Sequence, residues 1–440
     1  MLKIISNNLF KGDKVVWMIY FFLCMISLVE IYSASSSLTY THGNHLDPMI
    51  RQAGFLFVGL IIILIVHRIP CKYFKLFPLF LLPASVMLLL YVLLFGGTIN
   101  GGNRWIDLGF LSFQPSEVAK AALIMSLAAI LSKTQNEESI IGKNGRKTVV
   151  MATKGGYNKP FKICSILVCV ICGLIVSENF STAAILFTVS IIMMYIGNIP
   201  RKLMAKGLLC IGVIGALFIG TLLLIPDSLA TSIGGRVATW KHRIENKIGI
   251  NKTDAASNEL EESEYDLAEN WQVGNSNIAI ANSNMIGLGP GNSVQRDFLS
   301  HAESDFIYSI IIEETGVAGA VVVLLLFVML LIRVGRVAQK CDRFFPAFLV
   351  VGLGLMMVMQ AMVNMSVAVG LIPVTGQTLP LISHGGTSII LTSFNFGLIL
   401  SVSRYAEGVA DKKGKAAKKI IEDEDTLLET DEIYSNVGMA

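Results

Sequence analysis

Hydrophobic residues run through this chain in long stretches, which polar segments of very different lengths interrupt. A membrane-spanning helix needs about 20 consecutive apolar residues, and runs close to that length recur along the whole sequence. The pattern predicts an all-α polytopic membrane protein with about ten transmembrane helices. The predicted helices cover residues 15–34, 52–67, 74–95, 116–131, 163–177, 182–199, 203–225, 306–332, 344–368 and 387–403.

The composition and the placement of charge agree with a membrane protein. Hydrophobic residues make up 53% of the chain and charged residues 15%, whereas a soluble domain carries about a quarter charged residues. Most Lys and Arg residues lie in the two termini and in the loops after even-numbered helices, which predicts that both termini are cytoplasmic. The expected regions are a cytoplasmic N-terminus (1–14), a membrane domain (15–405) with a large external loop (226–305), and a cytoplasmic tail (406–440).

One group of polar residues surrounds the external start of the fourth predicted helix. It contains Arg104, Trp105, Gln114, Glu117 and Lys120. An acidic residue in the first turn is a common feature of a helix start, and this explains Glu117 but not the two cations. Charge at a membrane boundary is costly and usually functional. Two cations there indicate an anionic ligand, which in a bilayer means the phosphate or pyrophosphate of a lipid.

A second group lies at the external start of the eighth helix and contains His301, Glu303 and Asp305. The sequence leaves three roles open for Asp305: it could cap the helix, act as a general base, or hold a divalent cation such as Mg²⁺ or Mn²⁺. Glu313 and Glu314 follow two to three turns deeper, where paired acids rarely lack a role.

A third group lies between the last two helices, in residues 370–388. This segment is apolar but rich in Gly and Pro, so it cannot form a regular helix, and irregular backbone at membrane depth must be buried in protein or line a cavity. Its polar side chains, Thr375, Gln377, Ser383 and His384, could donate hydrogen bonds to a sugar. The chain has no zinc-type spacing, P-loop or nucleotide-binding βαβ pattern, so we expect no organic cofactor and no nucleic acid partner.

Three motifs in this order resemble the SEDS family (shape, elongation, division and sporulation), which includes FtsW, RodA and SpoVE. They are Arg104-Trp105 followed by Gln114-Pro-Ser-Glu-Val-Ala-Lys120; Asp305-Phe-Ile-Tyr308 with Glu313-Glu-Thr-Gly316; and Pro373-Val-Thr-Gly-Gln-Thr-Leu-Pro-Leu-Ile-Ser-His-Gly-Gly386. The chain also departs from the family pattern. Asn179 replaces the usual acid after the fifth helix, Ser300-His-Ala-Glu-Ser304 replaces Pro-Glu-Ala-His-Thr, and His384 replaces a tyrosine.

The resemblance implies a peptidoglycan glycosyltransferase that polymerises lipid II at the outer, periplasmic face of the bacterial cytoplasmic (inner) membrane. It further implies that Asp305 is the essential catalytic carboxylate and that Trp105 is functionally important. The implied partners are lipid II, a class B penicillin-binding protein that supplies transpeptidase activity, and other membrane proteins of the division machinery. The long tail and N-terminal extension favour a division role of the FtsW type over an elongation role of the RodA type.

Two other functions fit the sequence. A flippase that moves lipid II outward would also place charges and a broken helix in the membrane, and Glu30 with the Glu313–Glu314 pair keeps this alternative open. A non-catalytic scaffold of the division machinery is the other alternative. The charged motifs gather at the outer face, whereas transport requires a polar path through both leaflets, so the sequence favours the enzyme.

Overall fold

The computed structural model describes residues 10–34, 46–95, 106–107, 112–141, 147–153, 157–176, 178–224, 263–299 and 302–410. Within these residues each of the ten predicted helices is present. In chain order they are α1 (Lys14–Ala34), α2 (Asp47–Val66), α3 (Phe77–Phe95), α4 (Pro115–Lys133), α5 (Asn158–Val176), α6 (Phe180–Ile196), α7 (Arg201–Leu224), α8 (Ile307–Lys340), α9 (Phe344–Ala368) and α10 (Gly386–Ala410). Eight of them are long and apolar enough to cross a membrane, and α6 is a shorter apolar helix. The helical membrane fold is therefore confirmed.

The predicted helix ends are mostly close to those observed. Helix α4 begins at Pro115, one residue before its predicted start, and Glu117 lies in its first turn, as the sequence indicated. Helix α2 begins five residues earlier than predicted, since Pro48 is well suited to a first turn that needs no N–H donor. Helix α8 continues past its apolar stretch to Lys340. Apolar length reports the part of a helix that meets lipid, and not the turns beyond it.

Shorter elements connect these helices. They are a one-turn helix (Cys71–Phe74), a helix in the loop between α7 and α8 (Ser263–Asn282) and a 3₁₀ turn (Gln295–Asp297). Two antiparallel hairpins were not predicted: β1 (Ile106–Asp107) pairs with β2 (Ser112–Phe113), and β3 (Gln135–Ile141) pairs with β4 (Lys147–Thr153). They lie between helices, where no apolar run marks them.

The described residues form two compact units, residues 1–197 with 276–440 and residues 198–275. In the smaller unit the structure describes α7 and the first part of the helix Ser263–Asn282. In the larger unit α4 packs against α3, α5, α6 and α9, and α8 packs against α1 and α9. Helices α4, α9 and α10 bury 72%, 67% and 72% of their most apolar stretches, whereas α2 and α3 bury 28% and 22%. The helices α4, α9 and α10 therefore form the centre of this unit.

Polar contacts join the two ends of α1 to α8. Just before α1, the carboxylate of Asp13 lies 2.8 Å from the guanidinium of Arg333 in α8. The backbone N–H of Asp13 donates to the hydroxyl of Ser403 in α10 at 2.8 Å. At the opposite end of α1, Ser33 donates a hydrogen bond to Glu314 of α8. The two helices are therefore antiparallel neighbours.

Candidate active site

Asp305 lies in the turn directly before α8 and is half-buried. The helix begins at Ile307 and Phe306 occupies its N-cap position, so the sequence-based alternative of Asp305 as the N-cap residue is wrong. Asn364 of α9 donates from Nδ2 to the backbone carbonyl of Asp305 at 2.9 Å and to that of Gln377 at 2.7 Å. One amide group therefore holds the turn before α8 and the segment after α9 together.

The segment between α9 and α10 packs against the same turn. It has no regular secondary structure between residues 373 and 379, so the predicted irregular segment is confirmed. Residues 379–383 are buried, as predicted, whereas Leu371 and Pro373 are exposed. The Ser383 hydroxyl donates to the carbonyl of Ser304 at 2.6 Å and accepts from the N–H of Leu379 at 2.7 Å. The N–H of His384 donates to the carbonyl of Glu303 at 2.8 Å. The second and third sequence groups therefore meet around Asp305.

The predicted sugar-binding side chains of this segment differ in how they are used. Ser383 is engaged internally, and Gln377 donates from Nε2 to the hydroxyl of Thr182 in α6 at 2.7 Å. The Oγ1 atom of Thr375 and the Nδ1 atom of His384 are buried, and neither has a hydrogen-bond partner among the described residues. Thr375 and His384 therefore hold the polar atoms that a ligand could satisfy, while binding by all four stays a prediction.

The electrostatic environment of His384 favours its neutral form. Burial lowers the pKa of His384, and Arg51 lowers this pKa further, whereas the nearby Glu303 raises it. A neutral imidazole carries one N–H donor and one acceptor nitrogen. The residue can therefore replace the neutral tyrosine of the family pattern without adding charge.

Lys120 is buried in the first turns of α4 and has protein partners. Its Nζ lies 2.6 Å from Oε1 of Glu117 and 2.9 Å from Oε1 of Gln360 in α9. Gln360 in turn donates from Nε2 to the carbonyl of Thr378 at 3.1 Å. The sequence suggested that Lys120 is a cation available to an anionic ligand, but the structure places it in an internal ion pair with Glu117. A direct role for Lys120 in substrate binding stays a prediction.

The remaining predicted residues of the first group are only partly described. Gln114 is half-buried at the N-cap position of α4, and its side chain makes no capping hydrogen bond. Arg104 and Trp105 lie outside the described residues, and so does His301 of the second group.

Asn179 has a structural role where the family pattern has an acid. Its Oδ1 caps α6 by accepting from the N–H groups of Ser181 and Thr182 at 3.0 and 3.2 Å. Its Nδ2 donates to the carbonyl of Thr375 at 3.4 Å. A carboxylate could accept the first two bonds but could not donate the third, which is why an amide fits this position.

Three residues that organise the site were not predicted to do so: Asn179, Gln360 and Asn364. A signal was available for the last two. Gln360 and Asn364 are spaced four residues apart, so they lie on one face of the otherwise apolar helix α9. Polar side chains inside a membrane helix usually face protein. This face is the one that contacts Lys120 and Asp305.

A divalent cation at Asp305 remains a prediction. Among the described residues no three His, Cys, Asp or Glu side chains are grouped to hold a metal. Mg²⁺ commonly binds through one or two carboxylates together with substrate phosphates, and Asp305 provides one carboxylate. The described side chains therefore do not form a resident metal site by themselves, and the mechanism proposed below uses none.

Curated relatives match this chain over nearly its whole length. The probable peptidoglycan glycosyltransferase FtsW of Coxiella burnetii is 28% identical over 401 residues, which cover 89% of this chain and 96% of the relative. The protein of the same name from Haemophilus influenzae is 30% identical over 397 residues, which cover 89% and 90%. The corresponding protein of Marinobacter nauticus is 31% identical over 386 residues, which cover 86% of both chains.

Solved structures share the fold. A chain of a peptidoglycan synthase complex superposes with a TM-score of 0.63 at 23% identity, covering 90% of this chain and 98% of that chain. The rod shape determining protein RodA of Thermus thermophilus gives a TM-score of 0.59 at 22% identity, covering 90% and 98%. The family model of cell cycle proteins that groups FtsW, RodA and SpoVE matches residues 13–408. This chain therefore belongs to the FtsW, RodA and SpoVE family of cell cycle proteins.

Proposed function

We propose that this chain is a peptidoglycan glycosyltransferase that polymerises lipid II, an undecaprenyl-pyrophosphate-linked disaccharide pentapeptide. The names of its relatives support this class of reaction, and family membership extends over residues 13–408. The structural observation that carries the proposal is the position of Asp305. Its turn is fixed by Asn364 against the segment that holds the unsatisfied polar atoms of Thr375 and His384.

The reaction joins two lipid-linked sugars. The 4-hydroxyl oxygen of the acceptor GlcNAc attacks the anomeric carbon of the donor and forms the new glycosidic bond. The bond between that carbon and the pyrophosphate breaks, and undecaprenyl pyrophosphate leaves with the bonding electrons. Asp305 accepts the proton of the attacking hydroxyl, as a general base within hydrogen-bond reach of that proton can do.

Charge grows on the pyrophosphate as it leaves, and preorganised cations lower the energy of such a transition state. We propose Arg104 for this role, with Trp105 and Gln114 beside the substrate. Lys120 forms an ion pair with Glu117, so we expect it to stabilise the leaving pyrophosphate less than an unpaired cation would. Arg104 is proposed from the sequence alone.

The decisive experiment is lipid II polymerisation in proteoliposomes that contain the chain together with a class B penicillin-binding protein. We expect Asp305→Asn to abolish glycan strands. Asp342→Asn is the matched control, since Asp342 is an exposed carboxylate between α8 and α9, beyond the end of α8 opposite to Asp305. Substitutions at exposed positions usually change stability by less than about 0.5 kcal/mol, so the control should behave as the wild type. Normal polymerisation by Asp305→Asn would refute the assignment.

The flippase alternative drew on three acids in the membrane, Glu30, Glu313 and Glu314. Glu313 and Glu314 accept hydrogen bonds from the outer loop, so a structural role explains two of the three. Glu30 remains, since its Oε2 is buried and has no partner among the described residues. A lipid II flipping assay on the same proteoliposomes separates the two functions. Flipping without polymerisation would favour the transporter.

We further propose that the enzyme acts at the division septum, in the inner membrane and with its active site facing the periplasm. The relatives named FtsW support the septal role, and the eight long apolar helices support a multi-pass membrane protein. A fluorescent fusion should localise to the septum. Uniform labelling of the side wall would instead indicate a role in elongation.

A further inference from the structure

Helix α8 is broken at Gly316, where the backbone has φ 72° and ψ −171°. A break in a membrane helix leaves backbone groups without helical partners, and lipid cannot replace them. Here the outer loop fills the break. The N–H groups of Leu288 and Gly289 donate to the carbonyls of Glu313 and Glu314 at 3.0 and 2.8 Å. The loop is therefore paired with the helix backbone at this point.

Two glycines permit this close approach. A Cβ atom at Gly316 would lie 2.5 Å from the carbonyl oxygens of Asn284 and Met285. A Cβ atom at Gly287 would overlap the carbonyl oxygen of Glu314. Both glycines also have a positive φ, which side chains disfavour. The crossing of loop and helix therefore depends on glycine at both positions.

The side chains of Glu313 and Glu314 bind the next residues of the same loop. Glu313 accepts hydrogen bonds from the N–H of Gln295 at 3.3 Å and from the hydroxyl of Ser293. Glu314 accepts from the N–H groups of Gly291 and Ser293 at 3.0 and 3.3 Å. Both glutamates are fully buried. Buried carboxylates require such donors, and the loop supplies them in place of water.

The outer end of α1 joins this network. Ser33 donates its hydroxyl to Glu314. The Nη1 of Arg296 donates to the carbonyls of Ser33 and Gly291 at 3.2 and 2.8 Å. The loop is therefore held from α1 as well as from α8.

We infer that Glu313 is a positioning residue for Asp305, an inference that rests on the proposed function. The hydrogen bonds from the N–H of Gln295 to the carboxylate of Glu313 join the two ends of a loop of residues 295–313. Asp305 is one of the residues of this loop. One buried apolar cluster packs Leu299, Ala302, Phe306 and Ile310 of this loop against Val367 of α9. Asp305 is thus restrained from two directions, by Asn364 and by the hydrogen-bonded ends of its own loop.

The expected kinetic effect follows from the contacts of Glu313, whose side chain accepts hydrogen bonds from Ser293 and Gln295 of the loop. Glu313 does not itself hold the substrate in this proposal, so its removal should leave the KM for lipid II nearly unchanged. A catalytic group misplaced by about 1 Å can cost about 100-fold in rate. We therefore expect Glu313→Ala to lower kcat by about 10- to 100-fold.

The test compares Glu313→Ala, Glu313→Gln and Ser293→Ala with a matched control, Glu30→Gln. Glu30 is also buried at the outer part of α1 and is near enough to Glu314 to interact with it electrostatically, but its Oε2 has no hydrogen-bond partner among the described residues. Glu30→Gln therefore removes a neighbouring buried acid without removing a hydrogen bond to the loop. Each full-length variant is assayed with its partner for lipid II polymerisation, and amide hydrogen exchange is measured by mass spectrometry. The glutamine of Glu313→Gln keeps an acceptor oxygen for the N–H of Gln295, so it should recover much of the activity.

Support for the inference requires three results together. Glu313→Ala has a lower kcat at constant KM, and it shows faster amide hydrogen exchange in residues 291–306 with unchanged exchange in α4. Glu30→Gln behaves as the wild type. A wild-type kcat in Glu313→Ala, or an equal loss in Glu30→Gln, would overturn the inference. If Glu313→Ala does not fold, Ser293→Ala decides by the same criteria, because it removes a single hydroxyl. The proposed function fails separately, through an active Asp305→Asn protein.

Discussion

Asn364 donates from its side-chain amide to the backbone carbonyl of Asp305 at 2.9 Å, although the two residues lie 59 positions apart in the chain. The same Nδ2 donates to the carbonyl of Gln377. A single side chain at the end of α9 thus sets the position of the proposed general base relative to the segment proposed to bind sugar.

The first prediction concerns this amide. Asn364→Leu keeps the approximate size of the side chain but leaves the carbonyls of Asp305 and Gln377 without their donor. Each unsatisfied buried carbonyl costs about 1–3 kcal/mol, so we expect lower thermal stability in detergent micelles together with a lower kcat. Met356→Leu on the same helix is the control, because a volume-conserving change of a buried residue costs less than about 1.5 kcal/mol. Unchanged stability and kcat in Asn364→Leu would show that the amide is dispensable.

The second prediction separates two roles of Lys120. If the residue is chiefly the ion-pair partner of Glu117, Lys120→Met should destabilise the protein by up to about 3–5 kcal/mol, since it leaves a largely buried carboxylate unpaired. Adding Glu117→Gln should then restore most of the stability. Thermal unfolding of the two single variants and the double variant measures this coupling.

A role of Lys120 in binding pyrophosphate predicts a different outcome for the same proteins. The KM for lipid II would rise in Lys120→Met and would stay high in the double variant. We expect the double variant to recover the wild-type KM together with the stability. A KM that stays high would return Lys120 to the substrate-binding residues.

The third prediction concerns the amide that replaces an acid. Asn179→Ala removes the cap of α6 and the bond to Thr375, and loss of a capping side chain costs about 0.5–2 kcal/mol. Asn179→Asp keeps the cap but loses the donor to the Thr375 carbonyl, so it should be the milder change. Thermal unfolding ranks the two variants. The reverse order would mean that the negative charge, and not the lost donor, dominates at this position.

The fourth prediction is a pH dependence of stability. Burial holds the pKa of His384 below its usual value, so the unfolded chain binds a proton at a higher pH than the folded chain does. Stability from this residue is complete above the unfolded pKa of about 6.5 and is lost as the pH falls from there toward the folded pKa. His384→Tyr, which introduces the residue of the family pattern, should remove this part of the pH dependence. The check is thermal unfolding between pH 5 and pH 8, and identical slopes for both proteins would contradict the prediction.

The sequence predicted the helices well and the centre of the protein poorly, for one physical reason. Apolar length follows from membrane thickness, so the ten helices could be predicted directly, and the start of α4 was predicted to within one residue. Lipid tails are as apolar as a protein interior, so the same pattern cannot tell that α4 and α9 are central while α3 is peripheral. That distinction decides which polar residues meet.

The candidate site shows the same division. Asp305 and the irregular segment after α9 were identified because charge and glycine are conspicuous among apolar residues. Gln360 was not identified as a partner of Lys120, since its spacing from Asn364 indicates a polar face of α9 but does not show which helix that face contacts. The crossing at Gly316 was also missed, because a single glycine inside an apolar run does not reveal that another part of the chain passes there.

The attachment of α1 to α8 near both ends has a mechanical consequence. Asp13 contacts Arg333 and Ser33 contacts Glu314, and α1 is continuous between these two contacts, whereas α8 is broken between them at Gly316. Helix α1 therefore connects the two membrane surfaces directly. A force applied to the short segment before α1 would therefore reach the loop that carries Asp305, on the far side of the membrane.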